Sequence, residues 1–373
     1  MKKNLTLLFW CFYLMACKQE SEMSSFKNRI KILKSFTLSL DSLTPNQLPT
    51  PQFIQNKSLA FLNSKNNSID IYGIEEKKII KRIKLLSSGE NAVGKIQQFL
   101  YHNTDSIFVV NSYQYKAFLI DENGKIKEKY SLIKQNKHSP TTAMPEVFPF
   151  HCPPVLIGKR LHIASAPDDN PYFDSFYQRE ALSIVLNLEN KEIQYKMRFS
   201  DLYQQKYFTN NLNFYSRIYL KNDNKFVYGF FADQNLQITN AEYNLLKNIK
   251  LNSPHFIDIP SLKKRVESSQ ENTKIGNTNP TYFNIYHNHH KNEFYRIISI
   301  PISNKTNKKT YFKGFLGIFD KDFENIGEVL LYETDKTNYN LMNLFFTPEG
   351  MWIQRSTDNE DELVYDLVEF VAE

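Results

Sequence analysis

From about Ser24 onward, hydrophobic and polar positions alternate or gather in short apolar runs, and Asn, Asp, Gly and Lys break the runs. Alternation with a period of two over four to eight residues predicts half-buried β-strands. No stretch carries a helical stripe through three turns. The best short-helix candidate, Ser261 to Gln270, is mostly polar. The strands come in rounds. The first runs from Phe53 to Leu86, read as one strand over Phe53 to Asn63 followed by two more. The second spans Lys95 to Leu132 and contains Asn123-Gly124, a hairpin dipeptide whose two positions tolerate positive φ. Three further rounds span Val147 to Phe199, Ser216 to Leu251 and Tyr282 to Leu331. A sixth, Leu341 to Phe370, holds only three strands.

Rounds of four short strands are the pattern of propeller blades. The strand-like segment Phe26 to Leu40 has no round of its own. Placed in the sixth round, it completes that blade and closes the ring, which removes two unpaired edges. The expectation is an all-β, six-bladed propeller, with seven blades or two separate β domains as alternatives. The 342 residues from Ile30 to Val371 give about 57 per blade, above the roughly 40 to 50 of known repeats. The surplus falls in insertions at Pro167 to Arg179, Asn252 to Pro280 and Ser303 to Lys309.

The first residues read differently. Met1-Lys2-Lys3 is basic, and Leu5 to Ala16 is an apolar run. It is too short to span a bilayer, which takes about 20 residues, and it has the length of a signal-peptide core. Leu14-Met15-Ala16-Cys17 resembles the lipobox of bacterial lipoproteins. That resemblance implies a leader over residues 1–16, acylation of Cys17, a lipidated tether over 17–27 and a single propeller domain over 28–373. No Asp follows Cys17, and Lys18 leads into Glu20 and Glu22. These features resemble outer-membrane sorting and the surface-export signal of some Gram-negative lipoproteins.

Composition narrows the function classes. Hydrophobic residues are 41% and charged residues 23%, so the chain buries a core. The formal charge of +6 is dispersed. Its densest stretches, Lys77 to Lys84 and Lys305 to Lys313, read as solvated strand edges, and nucleic-acid binding is not expected. With Cys17 acylated and Cys11 in the leader, Cys152 is the one remaining thiol and no intrachain disulfide is expected. His151-Cys152-Pro153-Pro154 sets a thiol beside an imidazole, but a buried structural cysteine is the simpler reading. Gly89 to Lys95 matches G-x-x-x-x-G-K, yet Ile96 stands where a phosphate loop needs Ser or Thr, so it reads as an inter-blade loop. His287-Asn288-His289-His290 lacks acidic or cysteine partners and reads as a turn, with no metal expected.

The lipobox leader, Leu59-Ala60-Phe61, Ile69-Asp70-Ile71-Tyr72, the Gly89 to Gly94 loop and Phe294-Tyr295-Arg296 together resemble a Gram-negative lipoprotein family whose domain has no assigned function. The resemblance covers nearly the whole mature chain. It implies a six-bladed propeller and carries no catalytic residues. The resulting expectation is a lipid-anchored outer-membrane propeller acting as a binding or accessory protein. Its partner would be an outer-membrane protein or a glycan, and no cofactor is implied. The alternative is an extracytoplasmic hydrolase or lyase working on glycans or peptides from the channel. By their place on the innermost strands, His102, His151, Arg217, Tyr286 and His287 are the candidate ligand contacts.

Overall fold

The computed structural model describes residues 27–134, 142–146, 152–266, 268–276, 278–303, 310–333 and 339–372. Cys17, the leader, most of the tether and His151 lie outside the described residues. Strand β1 (Lys27–Ser39) precedes a link into the first blade, β2 (Gln52–Ile54), β3 (Ser58–Asn63), β4 (Ser68–Gly73) and β5 (Lys78–Lys84). Blade 2 is β6 (Gln98–Asn103), β7 (Ser106–Asn111), β8 (Lys116–Ile120) and β9 (Ile126–Ser131). Blade 3 contains β10 (Ala143–Pro145), β11 (Val155–Ile157), β12 (Arg160–Pro167), β13 (Ser183–Asn187) and β14 (Ile193–Lys196). Blade 4 is β15 (Tyr215–Leu220), β16 (Lys225–Phe230), β17 (Asn235–Asn240) and β18 (Leu245–Lys250). Blade 5 is β19 (Thr281–Asn288), β20 (Glu293–Ser303), β21 (Thr310–Phe319) and β22 (Asn325–Glu333). Blade 6 supplies β23 (Tyr339–Thr347), β24 (Gly350–Arg355) and β25 (Glu362–Ala372).

Each blade is an antiparallel meander from the innermost strand outward. Blade 6 takes its fourth strand from the other end of the chain. β1 pairs antiparallel with β25 from Asn28↔Ala372 to Ser39↔Glu362, slipping register once between Ile32 and Lys34. The start of β1 also pairs in parallel with β22, Lys27↔Glu328, which joins blades 5 and 6 into one eight-stranded sheet. The chain is therefore a six-bladed β-propeller.

The middle strands carry the core because each is covered on both faces. All six residues of β3 and all six of β4 are buried, whereas outermost β18 is exposed along nearly all its length. Apolar clusters fill the clefts between blades. One joins Phe36, Phe345, Trp352 and Tyr365 of blade 6 to Phe61 and Tyr72 of blade 1. Another packs the aromatic insertion residues Tyr177 and Tyr203 against Phe230.

The structure corrects the strand reading at three places. The expected strand from Phe53 to Asn63 is two strands, separated by a turn in which Gln55 and Asn56 take φ of 52° and 56°. The helix expected over Ser261 to Gln270 lies further on, at Ser269–Gly276. Two short helices, Asp174–Gln178 and Leu202–Gln205, sit where no stripe announced them. Tyr177 and Tyr203 dock them into the aromatic cluster, so tertiary packing holds segments too short to be helical alone.

The Gly89 to Gly94 loop is an inter-blade connection. Asn67 of blade 1 donates to Gly94 O at 2.9 Å and accepts from Ile96 N at 3.2 Å, while Asn111 of blade 2 donates to Val93 O at 2.8 Å. Gly94 has φ +71°, and a Cβ there would sit 2.3 Å from Asn111 Nδ2. The loop's polar contacts are spent on holding two blades together.

Candidate ligand-binding cavity

The inner strands surround a cavity of about 350 Å³ on the propeller axis, lined from five of the six blades. Blades 1 and 2 contribute the same dipeptide, Gln52-Phe53 on β2 and Gln98-Phe99 on β6. In each, the glutamine reaches across to the next blade. Gln52 donates to Tyr101 O and accepts from Tyr101 N, both at 2.8 Å. Gln98 donates to Glu146 O at 2.8 Å and to Ala164 O at 3.3 Å. The primary amide thus does the work of a strand pairing where the blades diverge. The phenyl rings beside these glutamines, Phe53 and Phe99, are left to the cavity wall.

The rest of the wall is similar. Blade 6 gives Leu344, Phe345 and Phe346, the first blade's entry gives Pro49 and Pro51, and the segment before β11 gives Cys152, Pro153 and Pro154. Cys152 is buried, with Sγ 3.5 Å from Tyr215 O, and burial pushes its thiol up to about 12. A nucleophilic cysteine needs the opposite shift, so the structural reading of this residue holds.

Tyr286 and His287 both line the cavity from β19. Tyr286 is fully buried, accepts from Asn284 Nδ2 at 2.8 Å, and has its phenol raised by burial. His287 stacks on Phe294 with ring centroids 4.6 Å apart, and its Nε2 lies 3.2 Å from Asn292 Oδ1. Burial lowers the His287 imidazole below its ordinary range, more than Asn292 raises it. His289, in the turn after β19, also lines the cavity and packs ring to ring with His290 at 3.8 Å. Desolvation and its histidine neighbours lower it too. Neutral imidazoles at pH 7 follow.

Two sequence-predicted contacts lie elsewhere. Arg217 is 1% exposed and turns toward blade 3. It donates to Ser183 Oγ at 2.9 Å, Pro153 O at 3.1 Å and His162 O at 3.3 Å, with its guanidinium over the Phe226 ring. Neighbouring Ser216 turns the other way, accepting from Ile285 N of blade 5 at 2.8 Å. Alternation on this inner strand serves the two flanking blades, and Arg217 is a structural cation between blades 3 and 4. His102 is exposed at the end of β6, where the register slips between Tyr101 and Asn103, and does not line the cavity. The contacts that sequence reasoning missed are the phenylalanines. The repeated Gln-Phe dipeptide was the available signal.

Hydrolysis by paired carboxylates needs two carboxyl groups about 5 to 9 Å apart. Among the described lining residues Glu146 is the single carboxylate. No group of three or more His, Cys, Asp or Glu that could hold a metal occurs among the described residues. The arrangement is an aromatic and prolyl cage with imidazoles along one side, in which Gln52 bonds backbone groups through both ends of its amide and Gln98 through its nitrogen alone, its buried Oε1 having no partner among the described residues.

Comparison with known proteins gives a family and a fold. Residues 29–330 match a family described as a domain of unknown function, DUF4221. A crystal structure of a member of that family from Bacteroides vulgatus superposes with a TM-score of 0.74 at 20% identity, covering 94% of this chain and 100% of the other. A Bacteroides fragilis protein named for its inferred export superposes with a TM-score of 0.52 at 10% identity, covering 93% of this chain and 99% of the other. No curated protein matches the chain. No helix among the described residues is long and apolar enough to cross a membrane.

Proposed function

Since the chain belongs to the DUF4221 family, a domain of unknown function, we propose from its own geometry that it is an exported binding protein. In this reading it is held to the outer membrane through acylated Cys17, and its axial cavity takes an apolar, ring-bearing group presented by a ligand or an outer-membrane partner. The observation that carries the reading is the lining: Phe53, Phe99, Phe345 and Phe346 surround a space of about 350 Å³. Cavities of some 300 to 1,000 Å³ with apolar walls and few polar groups are the usual form of small-ligand sites. The leader and lipobox support the anchor, and the similarity to a protein named for export agrees with it.

The chain has two tryptophans, Trp10 and Trp352. Removal of the leader leaves Trp352, whose ring stacks on cavity-lining Phe345 at 6.2 Å and 9°. Its emission therefore reports occupancy. Titration with 8-anilinonaphthalene-1-sulfonate should quench Trp352 saturably in the wild type. Phe99→Ala should weaken that binding about tenfold, from roughly 1.5 kcal/mol of lost aromatic burial. Unchanged affinity in Phe99→Ala refutes the cavity as the site. For the anchor, radiolabelled palmitate should enter the wild type and not Cys17→Ser, and the variant should leave the membrane fraction. Equal labelling of the two would refute acylation at Cys17.

A further inference from the structure

Blades 5 and 6 enclose a second cavity, of about 570 Å³, at the N-terminal ends of their inner strands. Its chemistry differs from that of the axial cavity. Phe283, Tyr332 and Tyr339 form aromatic walls, while Asn340, Gln354, Thr357 and Glu362 supply polar groups. The Tyr332 hydroxyl is held by Ser299 Oγ at 3.0 Å, so this side chain offers a wall more than a hydroxyl.

Gln354 is the informative residue. It is 6% exposed and sits opposite Asn340 in the β23–β24 ladder. Its orientation is fixed from both sides. Asn343 Nδ2 donates to Leu48 O at 3.1 Å, which identifies that atom as nitrogen, and the same atom lies 2.9 Å from Gln354 Oε1. Asn340 Oδ1 accepts from Met342 N at 3.1 Å, so Asn340 Nδ2 is the donor 2.9 Å from the same Gln354 oxygen. Two independently oriented donors thus hold Oε1. The Gln354 Nε2 hydrogens are left without a partner among the described residues, on a side chain that lines the cavity. Those hydrogens are open to the cavity, where a ligand acceptor can take them.

The remaining lining selects the ligand's charge. Among the described lining residues Glu362 is the one ionisable carboxylate, with Thr357 Oγ1 at 3.4 Å, and none is Lys, Arg or His. Glu362 repels an anion, and one carboxylate is too few to hold a bare divalent cation. A purely apolar ligand leaves Gln354 unpaired, the kind of mismatch that polar sites reject strongly. A neutral polyhydroxylated ring meets every group: its hydroxyl oxygens accept from Gln354, its hydroxyl hydrogens donate to Glu362, and its C–H face covers an aromatic wall. We propose that this cavity between blades 5 and 6 is a binding site for a neutral saccharide, separate from the axial cavity.

The test is retention on an array of neutral oligosaccharides built from hexoses, pentoses and N-acetylhexosamines, alongside sialylated and uronic-acid glycans, using the full mature chain. The wild type should retain neutral glycans and pass the acidic ones. Gln354→Glu keeps an oxygen for Asn340 and Asn343 but removes the donors, and it should lower retention tenfold or more. Tyr339→Ala, checked as folded by Trp352 emission, should lower it similarly. Phe99→Ala should leave glycan retention unchanged, which separates this proposal from the axial one. Absence of any neutral glycan, preference for acidic glycans, or full retention by folded Gln354→Glu and Tyr339→Ala overturns it.

Discussion

Replacing Arg82 with methionine tests how blade 1 is held to the chain that enters it. Asp70 on β4 is fully buried and accepts from Arg82 Nε at 2.8 Å and Nη2 at 3.0 Å, from Ser68 Oγ at 2.7 Å and from Asn63 Nδ2 at 2.8 Å. The same guanidinium donates to Asp41 Oδ2 at 2.9 Å, Asp41 Oδ1 at 3.0 Å and Thr44 Oγ1 at 2.8 Å, in the link between β1 and β2. Arg82→Met leaves Asp70 buried without its cation, a loss that runs about 3 to 5 kcal/mol. Ser68 and Asn63 still donate to it, which sets the expectation near the lower end. The Asp41 side chain is 46% exposed, so its pair adds less than about 1 kcal/mol. An unfolding entropy of about 2.1 cal/mol/K per residue over roughly 350 residues gives about 0.7 kcal/mol/K. A loss of about 3 kcal/mol therefore lowers Tm by about 4 °C. Scanning calorimetry at pH 7 reads this, and Arg82→Lys, which keeps the charge but cannot form both forks, should fall between. Adding Asp70→Asn to Arg82→Met should recover most of the loss. A shift below 1 °C in Arg82→Met, or a double variant less stable than the single one, refutes the reasoning.

Three further outcomes are expected. Cys152, pushed up to about 12 by burial, should resist iodoacetamide at pH 8 in the native protein and react only after unfolding in urea. His162, with Nδ1 2.8 Å from Tyr243 Oη, is pulled down to about 3 by burial and then by Arg217 and Arg160. Between about 6.5 and 3 the unfolded chain binds a proton that the folded chain refuses, so stability falls as pH drops through that window. Urea midpoints measured against pH should show this slope in the wild type and a shallower one in His162→Gln. Removal of residues 27–39 strips blade 6 of its outer strand along the register Asn28↔Ala372 to Ser39↔Glu362. The shortened chain should aggregate, whereas a monomer with wild-type Tm in light scattering and calorimetry would contradict the closure argument.

The blade rhythm was legible because strand period and turn residues are local signals. The segment Phe26 to Leu40, short of a round, pointed to the incomplete sixth blade, and β1 now fills it. The break at Gln55-Asn56 lies in the polar stretch Gln55-Asn56-Lys57-Ser58, which carries no glycine or proline and reads through as one strand. Arg217 shows the limit for the site. Alternation separates two faces of a strand, but an inner strand has three destinations: each flanking blade and the axis. Tyr286 and His287 stand at the cavity because β19 could be counted as innermost, while Phe53 and Phe99 lay in a dipeptide whose repetition carried no meaning until the glutamines' partners were seen. Gln354 was illegible because its significance is the amide hydrogens left over once Asn340 and Asn343 have taken its oxygen.

The pairing of β1 with β25 has a consequence for the order of synthesis. Lys31 and Glu369, in contact across that pairing, are 338 positions apart. At translation rates of roughly 5 to 20 residues per second, the first strand waits about 17 to 70 s for its partner to exist. Bringing such ends together costs about 5 kcal/mol of loop entropy, so the last contacts to form are those with the largest entropic debt. Until then the nascent chain carries an unpaired strand at its leading end. A ring fastened this way closes only after its last strand has been made.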